Sequence, residues 1–187
     1  MVLVTDGDQR AALAITRALG QQRVPVVVGA EAARSLAGAS RYAVQSWQYP
    51  SPLSSPSKFV SSLIDAIGRF GVTAIMPVTD STTQVLAARR DQFPATVLTA
   101  IPSLESYELV SDKYRLMKLA QELEVPIPET VFVPDGDLAS VLHQVTSFPV
   151  VVKPGRSLLM VDGGWGKTSV HFVSSVEELV DLYRRVP

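Results

Sequence analysis

The chain contains no cysteine. Disulfides, zinc ribbons, iron–sulfur clusters and cysteine nucleophiles are therefore excluded. Histidine is scarce, with only His143 and His171, so a histidine-rich metal site is excluded as well. No apolar run approaches the roughly 20 residues that a membrane helix needs. The opening Met1-Val2-Leu3-Val4-Thr5-Asp6 turns polar after four apolar residues and lacks the basic start of a leader. The expected setting is soluble and cytoplasmic, with no membrane partner. An excess of one charge is lacking too: 17 basic residues face 18 acidic ones, for a net charge of -1. No global positive field exists to hold a polyanion, so nucleic acid is not an expected partner.

Two familiar catalytic patterns are also missing. No G-x-S-x-G elbow is present, which disfavours a Ser-His-Asp hydrolase. The first turn, Val4-Thr5-Asp6-Gly7-Asp8-Gln9-Arg10, has one glycine where a dinucleotide fingerprint needs three. Asp6 and Asp8 there read as helix caps.

What the chain does have is apolar substance, 47% of 187 residues, enough for one ample domain or two small ones. Short apolar runs alternate with helical stretches. Val2–Val4, Val24–Val28 (closed by Gly29), Thr73–Met76 and Pro94–Leu98 read as strands. Arg10–Leu19, a stripe of Phe59, Leu63, Ile64 and Ile67, and Ser81–Arg90 read as helices, the last with Ser81 and Gln84 at capping-box spacing. This alternation predicts βαβ units and a mostly parallel sheet. Three prolines within residues 47–57 predict a surface loop there.

Composition shifts near Pro102. Residues 1–104 carry a net charge of +3 and residues 105–187 one of -4. The expected boundary therefore lies between 104 and 105. Beyond it, helices over 105–128 include one capped by Ser111-Asp112, with Leu116, Leu119, Ala120 and Leu123 on one face. Then follow a strand over Glu129–Val133, a helix over Asp137–Val145, a strand over Val150–Lys153, a glycine-rich loop, a strand over Ser169–Val173, and a helix over Ser174–Arg185 with Ser174 and Glu177 in capping-box spacing.

Three of the five lysines fall at notable places. Lys153 ends the valine strand of Phe148-Pro149-Val150-Val151-Val152-Lys153-Pro154. Ligands of α/β sheets bind at such strand ends, although a snorkelling lysine fits the same heptapeptide. Lys113 sits in the first turn of a helix, where a cation opposes the dipole unless an anion is near; a solvated surface lysine is the alternative. Lys167 follows Asp162-Gly163-Gly164-Trp165-Gly166 and precedes Thr168-Ser169. Glycines free the backbone to turn N–H groups onto a phosphate, and a plain hairpin is the alternative. Gly166-Lys167-Thr168 is not a P-loop: position 161 is valine rather than glycine, and a strand rather than a helix is expected to follow.

In order and spacing these motifs resemble the N-terminal part of ATP-grasp enzymes of the carbamoyl-phosphate-synthase-like and carboxylate–amine ligase type. Residues 4–14 resemble the first turn of the family's pre-ATP-grasp domain. Ser111-Asp112-Lys113-Tyr114-Arg115 and Val125-Pro126-Ile127-Pro128-Glu129-Thr130 resemble the opening of the ATP-grasp region. Phe148–Pro154 resembles the nucleotide-lysine strand, and Gly163-Gly164-Trp165-Gly166 the flexible phosphate loop. The resemblance implies an α/β protein: a Rossmann-like parallel-sheet domain over 1–104, then a small, incomplete α+β lid subdomain (linker helices over 105–128, lid over 129–187).

It further implies that Lys113 and Lys153 contact ATP phosphates, that Lys153 also lies near the adenine, and that Gly163, Gly164, Gly166, Lys167, Thr168 and Ser169 close over the phosphates. ATP would phosphorylate a small carboxylate for attack by an amine or similar nucleophile. No catalytic residue and no Mg2+ ligand of the family falls within these 187 residues, so the chain reads as an inactive fragment of a ligase. Its sequence departs at Ser147, where the family often has glycine, and at Ser157–Val161, which lengthens the stretch before the loop and leaves Arg156 without a role. A non-enzymatic α/β assembly or small-ligand module is the alternative. Oligomeric state stays open, a homo-oligomer included.

Overall fold

The structure, a computed structural model, describes every residue except 134, 135, 157, 162, 163, 186 and 187, and describes only the backbone of 158–161 and 164–167. It falls into two compact units, Met1–Tyr107 and Glu108–Pro187.

The first unit is built on a five-stranded sheet of order β3-β2-β1-β4-β5, every pairing parallel. Its strands are β1 (Val2–Val4), β2 (Val26–Ala30), β3 (Ala43–Gln48), β4 (Ala74–Met76) and β5 (Leu98–Thr99). All five residues of β2 are buried, as expected of a strand covered on both faces. Helices α1 (Arg10–Gln21), α2 (Pro56–Phe70) and α3 (Asp80–Ala88) supply the crossovers. Leu3, Val27 and Ile75 pack with Phe59, Leu63 and Leu86, whereas Val4, Val26 and Val28 pack with Ala12 and Ala37. Alternate residues of the central strands thus feed two apolar layers.

Several boundaries differ from the sequence expectation. Gly29 does not close β2 but lies within it, and a Cβ there would stand 2.8 Å from Cε1 of Tyr49. Trp47 and Gln48 belong to β3, Tyr49 is buried, and Pro56 occupies the first turn of α2. The loop is therefore shorter than its prolines suggest, because a proline at a helix start gives up no hydrogen bond. Thr79, not Ser81, caps α3, accepting from the Thr82 N–H. Gly71 closes α2 at φ 61, a left-handed conformation that favours glycine. A Gly29→Ala variant should lose about 1–3 kcal/mol, because the added methyl must displace a buried aromatic ring. Chemical denaturation checks this, and the effect should fall sharply in a Gly29→Ala/Tyr49→Leu double variant.

In the second unit α4 (Leu104–Ser111) is followed, after Asp112, by α5 (Lys113–Glu122); the unit boundary falls inside α4. Residues 129–133 form no strand. Pro126 and Pro128 precede them and cannot donate to a ladder; instead the Phe132 ring meets Tyr114 edge-on at 5.2 Å. Next come α6 (Leu138–Val141) with a 3-10 turn over Leu142–Gln144, β6 (Val150–Val152), β7 (Leu158–Val161), β8 (Gly164–Lys167), β9 (His171–Val173) and α7 (Val176–Arg185). β6 pairs antiparallel with β9, and β7 with β8. Val173, Leu179 and Leu182 form the buried centre, with Leu138, Leu142, Phe148, Val150 and Val152 packed on it. The cap of α7 lies one residue later than expected: Ser175 Oγ accepts from the Glu178 N–H, whose side chain accepts from the Ser174 N–H. Among the described residues no helix is long and apolar enough to cross a membrane.

Candidate functional site

The site is built from the start of α5 upward. Asp112 is extended and caps the helix: its Oδ1 accepts from the N–H of Tyr114 at 3.0 Å and of Arg115 at 3.2 Å. Its Oδ2 accepts from Arg156 Nε at 3.3 Å. The N–H of Lys113, the next donor, goes to the Gly155 carbonyl at 2.8 Å. On the far side of the same segment, Thr168 Oγ1 donates to the Arg156 carbonyl at 2.7 Å. Three stretches distant in sequence thus meet: the helix start with Lys113, the end of β6 with Lys153 to Arg156, and Thr168. Lys153 is exposed, Lys113 and Thr168 are half-buried, and Ser169 is exposed. The backbone of Lys113 is held two residues beyond Lys153.

Burial opposes the Asp112 charge, but the Arg115 N–H, the Arg156 guanidinium and the Tyr114 N–H outweigh it and hold its pKa below the usual carboxylate value. The Arg156–Asp112 pair is partly exposed and contributes little to stability, about 0–1 kcal/mol. What it does is tie the segment after β6 to the start of α5. A carboxyl depressed in the folded state contributes stability above its unfolded pKa of about 3.9, and loses that contribution as pH falls through the folded value. An Asp112→Asn variant should therefore melt below the parent at pH 7, and the gap should close in acid below about pH 4. Melting curves across pH check this, and a gap that stays constant into acid contradicts it.

The β6–β9 ladder has two unlike faces. Val150 and Val152 pack inward, whereas the cross-strand pair Val151 and Phe172 faces out, 45% and 78% exposed. By alternation Lys153 and Val170 continue that outer face, and Val170 is itself half exposed. An uncovered Phe beside a strand-end lysine is the informative kind of exposure: an apolar, aromatic surface next to a cation.

The glycine-rich stretch is not the open loop expected from sequence. Gly164 and Gly166 lie on β8, opposite Val161 and Leu159. The run Leu158-Leu159-Met160-Val161, read from sequence as lengthening the stretch before the loop, is an apolar strand that supplies the partner. Gly163 and the side chain of Lys167 lie outside the described residues. No helix follows Lys167-Thr168, which rules out a P-loop.

In the first unit the sheet's carboxyl edge is closed by Asp6. It adopts φ 59, and its Oδ2 accepts from the N–H groups of Val78 and Thr79 and from the hydroxyls of Thr5 and Thr82. Asp6 is thus not the cap of α1; Gln9 occupies that position without a side-chain bond. The Asp6 N–H donates to the Tyr49 hydroxyl at 2.8 Å, and burial, then the neighbouring carboxylate, push the Tyr49 phenol well above its ordinary pKa. A Cβ on Gly7 would stand 2.5 Å from Ser35 Oγ, and Ala37 N donates to the Gly7 carbonyl. The space a dinucleotide would need at this turn is filled by the chain itself.

No protein-family model matches the chain, and no curated protein matches it by sequence. Solved structures match it closely in fold. L-amino acid ligase from Bacillus licheniformis superposes over 98% of this chain with TM-score 0.66 at 15% identity. A biotin carboxylase from Campylobacter jejuni covers 98% with TM-score 0.65 at 18% identity. N5-carboxyaminoimidazole ribonucleotide synthetase from Thermotoga maritima covers 96% with TM-score 0.58 at 17% identity. The chain spans about two fifths of the length of each, namely 41%, 40% and 42%.

Proposed function

We propose that this chain, whose fold is that of the amino-terminal part of ATP-grasp carboxylate–amine ligases, supplies the nucleotide-binding half of such an enzyme. The observation that carries the reading is the junction of the α5 start with the end of β6, which sets Lys113 and Lys153 on one backbone cluster. The donor set suits a triphosphate. Lys113 and Lys153 bring charge, Thr168 and Ser169 bring hydroxyls, and the Val151–Phe172 face offers a surface on which an adenine ring can stack. ATP, when bound, supplies the phosphoryl group that activates a carboxylate for attack by an amine or similar nucleophile. This chain's share is to fix the phosphates with cations and to shield the base from water.

Among the described residues no group of three or more Asp, Glu, His or Cys could hold a metal ion. Mg2+ is held by one or two carboxylates together with the nucleotide's own phosphates, and no step of this reading runs through it. In this reading the chain binds nucleotide without hydrolysing it. Titration calorimetry with ATP, paired with a phosphate-release assay, tests this reading. Saturable binding near one nucleotide per chain, with no release above buffer, is the expected outcome. An absence of heat at millimolar ATP contradicts it.

A further inference from the structure

At the opposite edge of the first unit's sheet, where α1 ends and β3 begins, lies a groove of about 470 Å3 lined by Arg17, Gln21, Ser40, Arg41 and Tyr42. Its construction is specific. Gly20 of α1 has no side chain, and a Cβ there would stand 2.4 Å from Cβ of Tyr42, so the tyrosine approaches the helix backbone closely. The Arg41 guanidinium sits 4.8 Å from the Tyr42 ring centre and donates to its hydroxyl at 2.9 Å. Ser40 Oγ accepts from the Tyr42 N–H, which leaves the serine proton for an outside acceptor. Neither Arg17 nor Arg41 makes an ion pair with a carboxylate among the described residues.

Two guanidiniums, one of them held in place by an aromatic ring, a hydroxyl proton and a glutamine amide therefore share one groove with no counter-charge. Guanidinium forks match the paired oxygens of phosphate and carboxylate groups, and a restrained arginine loses less freedom on binding than a free one. We propose that this groove binds a compact polyanion, a polyphosphate or a polycarboxylate, at a site separate from the Lys113–Lys153 cluster. Arg41 already lies over the Tyr42 ring, so the ligand is recognised by its charge and oxygens and not by a stacked ring.

Amide-resolved NMR titration of the whole chain tests this, with inorganic pyrophosphate and citrate as probes and sodium chloride at equal ionic strength as the control. The amides of Gly20, Gln21, Arg41 and Tyr42 should shift saturably with at least one probe, and the tighter of the two identifies the source of the oxyanions. Arg17→Gln and Arg41→Gln, both at exposed positions, should each weaken that response about tenfold or more. Arg41→Lys should fall between, because it keeps the charge and loses the fork. Pyrophosphate shifts near Lys113 and Lys153 should survive Arg17→Gln, so failure here and failure of the nucleotide reading are distinguishable. Shifts at the groove no larger than with chloride, or unchanged by both glutamine variants, overturn the proposal.

Discussion

Replacing Asp6 by alanine should lower the stability of the first unit by about 3 kcal/mol, because it removes the charged acceptor shared by two part-buried backbone N–H groups and two hydroxyls. Four donors converge on one oxygen: the Val78 and Thr79 N–H groups at 3.0 and 2.9 Å, and the Thr5 and Thr82 hydroxyls at 2.7 Å each. They come from three different elements, so the loss unties the β1 turn from the β4–α3 turn. The left-handed backbone adds to the cost, since Asp and Asn adopt φ near 59 more readily than alanine. A fall in melting temperature on the order of 10 °C is expected for a unit of this size. Asp6→Asn should lose less, because it keeps one carbonyl acceptor and the same backbone preference. Asp6→Gly should still show most of the stability loss, because it relieves the backbone but restores no acceptor. Melting of Asp6→Ala within about 2 °C of the parent contradicts this account.

Lys153→Ala should weaken ATP binding about tenfold to a hundredfold, the range for one charge-assisted contact. Lys153 is exposed, so its removal should leave the melting temperature unchanged. Phe172→Ala tests the other half of the same face. Base–aromatic stacking contributes about 1–3 kcal/mol, so this variant should weaken ATP more than it weakens tripolyphosphate. Phe172 is 78% exposed, so a large stability loss is not expected and a binding loss is attributable to contact. Unchanged ATP affinity in Lys153→Ala removes that lysine from the site, and equal losses for ATP and tripolyphosphate in Phe172→Ala remove the stacking face.

The parallel sheet was legible because its strands are short and apolar and its helices have clean apolar stripes; β2, wholly buried, could hardly read otherwise. The positions of Lys113 and Lys153 at element ends were legible for the same reason, as one follows an N-cap and the other ends a valine run. What local pattern could not show was pairing. Asp6 reads as a cap because its partners Val78, Thr79 and Thr82 are more than seventy residues away. Arg156 had no assignable role until Asp112 stood beside it. A hairpin was one of two readings of the glycine-rich stretch, but its glycines signal loop on their own and become strand only opposite Leu159 and Val161. The outer face of β9 was hidden too, since Val170, Phe172 and Val173 are all apolar and only the ladder register separates exposed from buried.

The central claim is that Lys113 and Lys153 serve one bound triphosphate, and a double-mutant cycle on ATP affinity tests it most directly. Lys113→Ala, Lys153→Ala and the double variant are titrated with ATP alongside the parent. Residues sharing one partner couple, so the double variant should lose less than the product of the two single losses, by an interaction of about 0.5 kcal/mol or more. Strict additivity, or a loss in only one of the two single variants, would mean that the lysines do not meet on the same phosphates.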